Sequence, residues 1–381
     1  MLSALRRGWA RGVPGLALAL LLAGCAGPGR VPASPTGGAG AASSGLPGPV
    51  PSGPPPATPP SAPAAPVVVK AGAVYALTDS PIFMALERGY FEEAGIRLDL
   101  QQFDTVVNAI PAVSTGQLDV AFDGALSAGF LNAIGRGIGI KIVANQGIAA
   151  VARADRPYYA IVAAKALVDN GQVQRVADLR GQPVGVLAEG SLAQLLVDTA
   201  LRSEGLTLAD VRQQTLSFPD TLAGLRGGSL AGGFLVEPFI TLGRQQGLLE
   251  VLLSAEKLAP GREITLVLYS PQFAQQPAAT SFMVAYLRGV RDYVQAFFGD
   301  GDRAAAVAQL AKHLAVKEPA LYERMGLPYV NPDGRVTTAD LQAQQAWHVA
   351  QGLVAQPVNM ESLVDGRFVD YALGVLGPYR P

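Results

Sequence analysis

The chain has 381 residues, with 29 Lys plus Arg against 30 Asp plus Glu, a formal net charge of −1. That balance excludes the basic footprint of a nucleic-acid-binding protein. Hydrophobic residues make up 49% of the chain, enough for a sizeable core, and much of the Gly and Pro excess falls before residue 67.

The first 25 residues read as a targeting segment. Arg6, Arg7 and Arg11 precede an apolar run over 16–22, far short of the ~20 residues a membrane span needs. It has the pattern of a signal peptide. The run ends in Leu22-Ala23-Gly24-Cys25, which has the form of a lipobox, and Cys25 is the only Cys in the chain. The expectation is cleavage before Cys25 and lipidation of its thiol. Residues 26–66 are rich in Pro, Gly, Ala and Ser, with Arg30 as the one charge. Such a stretch buries no core and is expected to be a tether reaching roughly 35 Å as a coil.

From residue 67 the pattern alternates strand and helix. A β-branched run over 67–72 predicts a strand, and Ser80-Pro81 predicts a helix start. Strands follow over 96–100, 118–122 and 140–144. Asn108 is expected to cap the intervening helix, with Pro111 in its first turn, and a further helix covers 127–134. A second unit begins near Tyr158, with strands over 159–164, 184–187 and 234–236. Its helices start at Ser191 and at Asp220, read as a cap. A return strand over 264–268 precedes helices over 278–298, 303–314, 338–351 and 368–373. Each unit runs helix, Gly, strand, acid, ending at Asp123 in one and Glu237 in the other. The alternation predicts an α/β fold. The expected boundaries are lobe 1 over 67–157, lobe 2 over 158–260, and a return to lobe 1 over 261–381.

Several stretches resemble the periplasmic substrate-binding proteins for nitrate, sulfonates, taurine and thiamine-precursor pyrimidines. They are PIFMALERGYFEEAGI at 81–96, GQLDV at 116–120, KIV at 141–143, DLRGQPVGV at 178–186, EPF at 237–239 and FVDYAL at 368–373. Where the family has Gly-x-x-Asp in the second lobe, this chain has Gly228-Ser229-Leu230-Ala231. The resemblance implies the type II periplasmic binding fold: two lobes with mainly parallel sheets, joined by crossing strands. It also implies a monomeric, exported receptor that delivers a small molecule to the permease and ATPase subunits of an ABC importer.

In open α/β sheets, ligands bind beyond the carboxyl ends of strands. The candidate site residues there are Tyr75, Thr78, Asp79, Ser80, Asp123, Gly124, Gln146, Glu189, Gly190, Ser191, Phe218 and Glu237. Glu237 is singled out because Glu-Pro fixes a turn. Ser80 and Ser191 stand at expected helix N-termini, which favour anions or carbonyls. The acids suit a neutral or cationic nitrogen heterocycle such as a pyrimidine or vitamin precursor, and an anion site would call for Lys or Arg. Alternatives are sulfonate-, taurine- or nitrate-type anions, a ligand-sensing lipoprotein, or a secreted enzyme on the same scaffold. His313 and His348 are the only His, and no nucleophile or phosphate-loop motif is present. No catalytic residue, cofactor or metal is expected.

Overall fold

The structure, a computed structural model, describes residues 65–103, 106–150 and 156–381. The expected signal peptide with Cys25, and nearly all of the expected tether, lie outside these residues. Two five-stranded sheets form the described body. The first contains β1 (Val67–Ala73), β2 (Ile96–Gln102), β3 (Val120–Gly124) and β4 (Lys141–Ile148). The second contains β5 (Tyr159–Ala164), β6 (Pro183–Val186), β7 (Arg212–Thr215), β8 (Gly232–Val236) and β9 (Leu249–Ser254). The chain then returns as β10 (Glu263–Tyr269) into the first sheet, between β3 and β4.

The strand orders are β2-β1-β3-β10-β4 and β7-β6-β8-β5-β9. Three parallel strands, one strand that crosses from the other lobe and one edge strand recur in the same arrangement. Each sheet is mainly parallel, as expected, with one strand running against the other four. β1 runs parallel to β2 and β3, while β10 runs antiparallel to β3 and β4. β5 is likewise antiparallel to β8 and β9. Parallel neighbours need a helical crossover within one sheet; β5 and β10 arrive from the other lobe and insert the opposite way. β3 and β5 are buried along their whole length, which is why they read as continuous apolar runs.

Three helix starts differ from expectation. Ser80 is the first residue of the Ser80–Glu87 helix, and its hydroxyl donates to Leu77 O at 2.6 Å. Asp79 holds the cap position, because the one-turn Leu77–Asp79 segment runs straight into the helix. Asn108 does not cap its helix, which begins at Val106, so Pro111 lies inside it. Burial of Ala109 and Val113 holds that helix together around the missing donor. The Phe218–Gly227 helix is capped by Ser217, whose Oγ accepts the Asp220 N–H at 3.3 Å.

The longest helix, Ala278–Phe298, buries Phe282, Met283, Tyr286, Leu287, Val290 and Tyr293 along one face, at the spacing of a helical stripe. It meets Ser80–Glu87 at Gly289, where an added Cβ would stand 2.4 Å from Pro81 O. No described helix is long and apolar enough to cross a membrane.

Candidate functional site

The carboxyl ends of β1 and β3 lie side by side and carry two backbone exceptions. Tyr75, just after β1, has φ 59°, and Asp123, in β3, has φ 58°. Among the described residues they are the only non-glycines in the left-handed region. Such a conformation is costly for side chains with a Cβ and persists where the surroundings hold it.

What holds it is a buried polar cluster. Asp79, Asp123 and Gln146 are 1%, 8% and 0% exposed. The Asp123 N–H donates to Gln146 Oε1 at 2.5 Å, which fixes the amide so that Nε2 faces the acids. That nitrogen donates to Asp79 Oδ1 at 3.0 Å and lies 3.4 Å from Asp123 Oδ1 and 3.3 Å from Thr78 O. The Thr78 hydroxyl also donates to Asp123 Oδ1, and Asp79 Oδ2 accepts the Ala76 N–H at 3.1 Å. Burial raises the Asp79 carboxyl well above the usual range, and the charge of Asp123 raises it further. Burial raises Asp123 too, while the neighbouring polar groups of Asp79, Thr78, the Val74 backbone and Gln146 pull it down. Neither carboxyl forms an ion pair among the described residues.

The second lobe reaches this cluster through Tyr158 and Tyr159. Burial and then the charges of Asp123, Asp79 and Glu237 push the Tyr158 hydroxyl far up, with Thr78 pulling the other way. The Tyr159 ring stacks at 6.2 Å on Phe234, and Phe218 lies 6.3 Å from Phe234. Phe218 thus joins the cluster through two intervening rings rather than directly. From the first lobe, the buried Tyr286 feels the charges of Asp79 and Asp123. Sequence reasoning missed Tyr158, Tyr159 and Tyr286 as site residues. The available signal was two consecutive tyrosines where the chain enters the crossing strand.

The remaining candidates are placed elsewhere. Glu237 does not offer a free carboxylate: Oε2 accepts the Thr241 N–H at 2.9 Å, and Oε1 accepts the Thr241 hydroxyl at 2.8 Å and the Gly326 N–H at 3.2 Å. Its peptide bond to Pro238 is cis. Glu189 is exposed. Gly190, φ 65°, turns its carbonyl to the Ala128 N–H of the first lobe at 2.9 Å. Ser191 caps the Leu192–Ser203 helix by accepting from Gln194 N at 3.2 Å. Gly124 lies against Leu268, where a Cβ would approach within 2.8 Å. A cavity of about 250 Å³ at Val143, Gly334, Val336, Glu361 and Val364 includes none of the predicted residues.

Two α/β lobes with matching strand orders, joined by crossing strands and meeting over a buried polar cluster, define the periplasmic-binding-protein class of fold. The chain belongs to the NMT1/THI5-like family, which matches residues 78–296, more than half of it. It is similar to the alkanesulfonate-binding protein SsuA of Xanthomonas axonopodis pv. citri, solved with MOPS. That match has 20% identity and TM-score 0.61, covering 80% of this chain and 99% of that one. It is similar to the periplasmic nitrate-binding protein NrtA of Synechocystis PCC 6803, at 12% identity and TM-score 0.64, covering 82% and 89%. A DszB mutant in complex with biphenyl-2-sulfinic acid also matches, at 15% identity and TM-score 0.56, covering 81% and 99%. At these identities the likeness is one of fold. No curated protein sequence matches the chain.

Proposed function

We propose that this chain is an exported receptor that captures a small organic solute for the permease and ATPase subunits of an ABC importer. The family and the fold support a binding role. The solute is a neutral or cationic nitrogen heterocycle, such as a pyrimidine or vitamin precursor, whose N–H groups the Asp79–Asp123 cluster accepts. The observation that carries this reading is a buried pair of carboxyls at adjacent strand ends, steadied only by neutral donors. An inorganic anion would be repelled there.

A second reading, capture of a sulfonate or nitrate, is favoured by the structures of SsuA and NrtA, which are named for such ligands. Calorimetry decides between the two. Binding of an aminopyrimidine that falls about ten- to a hundredfold in Asp123→Asn, ~1–3 kcal/mol, supports the first. Tight binding of nitrate or an alkanesulfonate, indifferent to that change, overturns it.

A receptor rather than an enzyme also fits the two histidines. His348 is buried with Nε2 on Leu126 O at 2.8 Å, and His313 sits 2.7 Å from Glu87 Oε1, stacked on Phe83. Both rings are tied to structure. The lipobox reading adds a membrane tether through Cys25; labelling with a radioactive fatty acid that persists in Cys25→Ser would refute it.

A further inference from the structure

Oδ1 of Asp79 and Oδ1 of Asp123 face one shared donor, Gln146 Nε2, at 3.0 and 3.4 Å, so two buried carboxyls lie side by side. Two ionised carboxylates are acceptors only and repel each other out of water, which favours a proton on one of them. Gln146 Nε2 faces Oδ1 of both acids, with its orientation locked by the Asp123 N–H. Asp79 Oδ2 is taken by the Ala76 N–H. Asp123 Oδ2 is buried with no N–H or hydroxyl partner. The titratable groups that face the pair are all acids: Tyr75 from its own loop, Tyr158 and Tyr159 from the second lobe, Tyr286 from the long helix, and Glu237 through Tyr158.

A second observation points to an incoming group. The Tyr159 hydroxyl, on a residue 5% exposed, also lacks a partner. A Cβ placed on Gly147 would be 2.7 Å from Thr265 Oγ1, a second buried hydroxyl without a partner, and 3.9 Å from both Tyr159 Oη and Thr78 Cγ2. Buried polar atoms without partners are rare enough to need a reason. Asp123 Oδ2 and the hydroxyls of Thr265 and Tyr159, from both lobes, are thus polar groups left for an incoming polar solute.

We propose that Asp79 and Asp123 hold one proton between them in the solute-free protein at neutral pH, and that a cationic solute replaces it. One positive charge enters and one proton leaves to solvent, so the site keeps the same net charge before and after capture. The cation half rests on the receptor reading above; the proton half does not. Two carboxyls that close titrate as one unit, in two separated steps. Where the pair's proton competes with the solute, affinity falls about tenfold for each pH unit of acidification.

Aspartate labelled with carbon-13 at the carboxyl tests the proton directly in the full chain without solute. The expected result is a pair of carboxyl resonances that remain off the ionised position at pH 7 and change together, both altered in Asp79→Asn. If that variant fails to fold, the wild-type titration decides alone. Full ionisation of every Asp at pH 7 overturns the proposal and leaves the receptor reading standing. 4-Aminopyridine, a monocation at neutral pH, tests the replacement, with pyridine-3-sulfonate as its anionic counterpart. Calorimetry in buffers of different ionisation enthalpy should count one proton released per 4-aminopyridine bound. A proton visible by NMR that 4-aminopyridine does not displace at any pH overturns the cation half. Tight binding of the sulfonate with the proton retained overturns the ligand class and sustains the shared proton.

Discussion

The indole N–H of Trp347 donates to Oδ2 of Asp198 at 2.7 Å. Trp347 stands on the Thr338–Ala350 helix, which packs on the first lobe through Leu341 and through His348 on Leu126 O. Asp198 stands on the Leu192–Ser203 helix of the second lobe and is 0% exposed. The bond therefore ties the two lobes together away from the carboxyl cluster. In Trp347→Phe, Asp198 keeps only Arg202, at 2.7 Å. A bond to a buried charge contributes about 2 kcal/mol. Denaturant unfolding should show a loss of that order; an unchanged midpoint would mean that the bond does not hold the lobes.

A second tie is the Gly190 carbonyl on Ala128 N. Gly190 has φ 65°, and a Cβ there would come within 2.7 Å of Ala128 Cβ. Gly190→Ala should lose about 1–3 kcal/mol, with small-angle scattering showing the lobes further apart. A variant with wild-type stability and dimensions would sink this contact as a constraint.

Glu237 sets a pH dependence. Burial raises its carboxyl to about 7, against bonds from Thr241 and Gly326. An acid raised in the folded state contributes stability that is fully present below its unfolded value near 4.5 and lost as pH rises through about 7. The protein should thus lose stability between about pH 4.5 and 7, by at most about 3 kcal/mol from this group. Glu237→Gln should flatten that slope. Urea titrations at a series of pH values check it; an equal slope in both proteins would assign the effect elsewhere.

Gly289 marks where two helices touch. An alanine there places its Cβ 2.4 Å from Pro81 O and 2.6 Å from Ala85 Cβ. Because backbone must move, Gly289→Ala should cost about 1–3 kcal/mol. It should also disturb the carboxyl cluster, since Asp79 directly precedes the Ser80–Glu87 helix. Thermal unfolding measures the first effect and solute affinity the second.

The fold class was legible because buried strands and amphipathic helices each leave a periodic signature. The apolar run over 159–164 and the helix over 278–298 agree residue for residue with β5 and with Ala278–Phe298. β7 was invisible: Arg212-Gln213-Gln214-Thr215 is wholly exposed, so no hydrophobic pattern marks it. β9 was missed although it is apolar and Gly247, φ 64°, separates it from the preceding helix. At the site, Asp79, Asp123, Thr78 and Gln146 were all named from strand ends, and the structure gathers them into one network. Glu189 looked equivalent to them on paper, and Glu237 was preferred for its Glu-Pro turn. What separates them is which donors fold back onto each carboxylate, a long-range property: Gly326 lies 89 positions from Glu237. Tyr158 was hidden for the same reason, since its neighbour Thr78 belongs to the other lobe.

The place of β10 in the first sheet governs the order in which the chain can fold. β3 and β4 do not touch as neighbours; the strand between them comes from residues 263–269. Until that segment emerges, both present bare edges, β3 with every side chain buried in the finished sheet. Unpaired apolar edges recruit other chains. The first lobe to be synthesised is therefore the last to close, and it waits on the whole of the second. A nascent chain that stalls before residue 263 carries an incomplete sheet. A folding-rate measurement on segments of increasing length should show cooperative structure in the first sheet only once β10 is included.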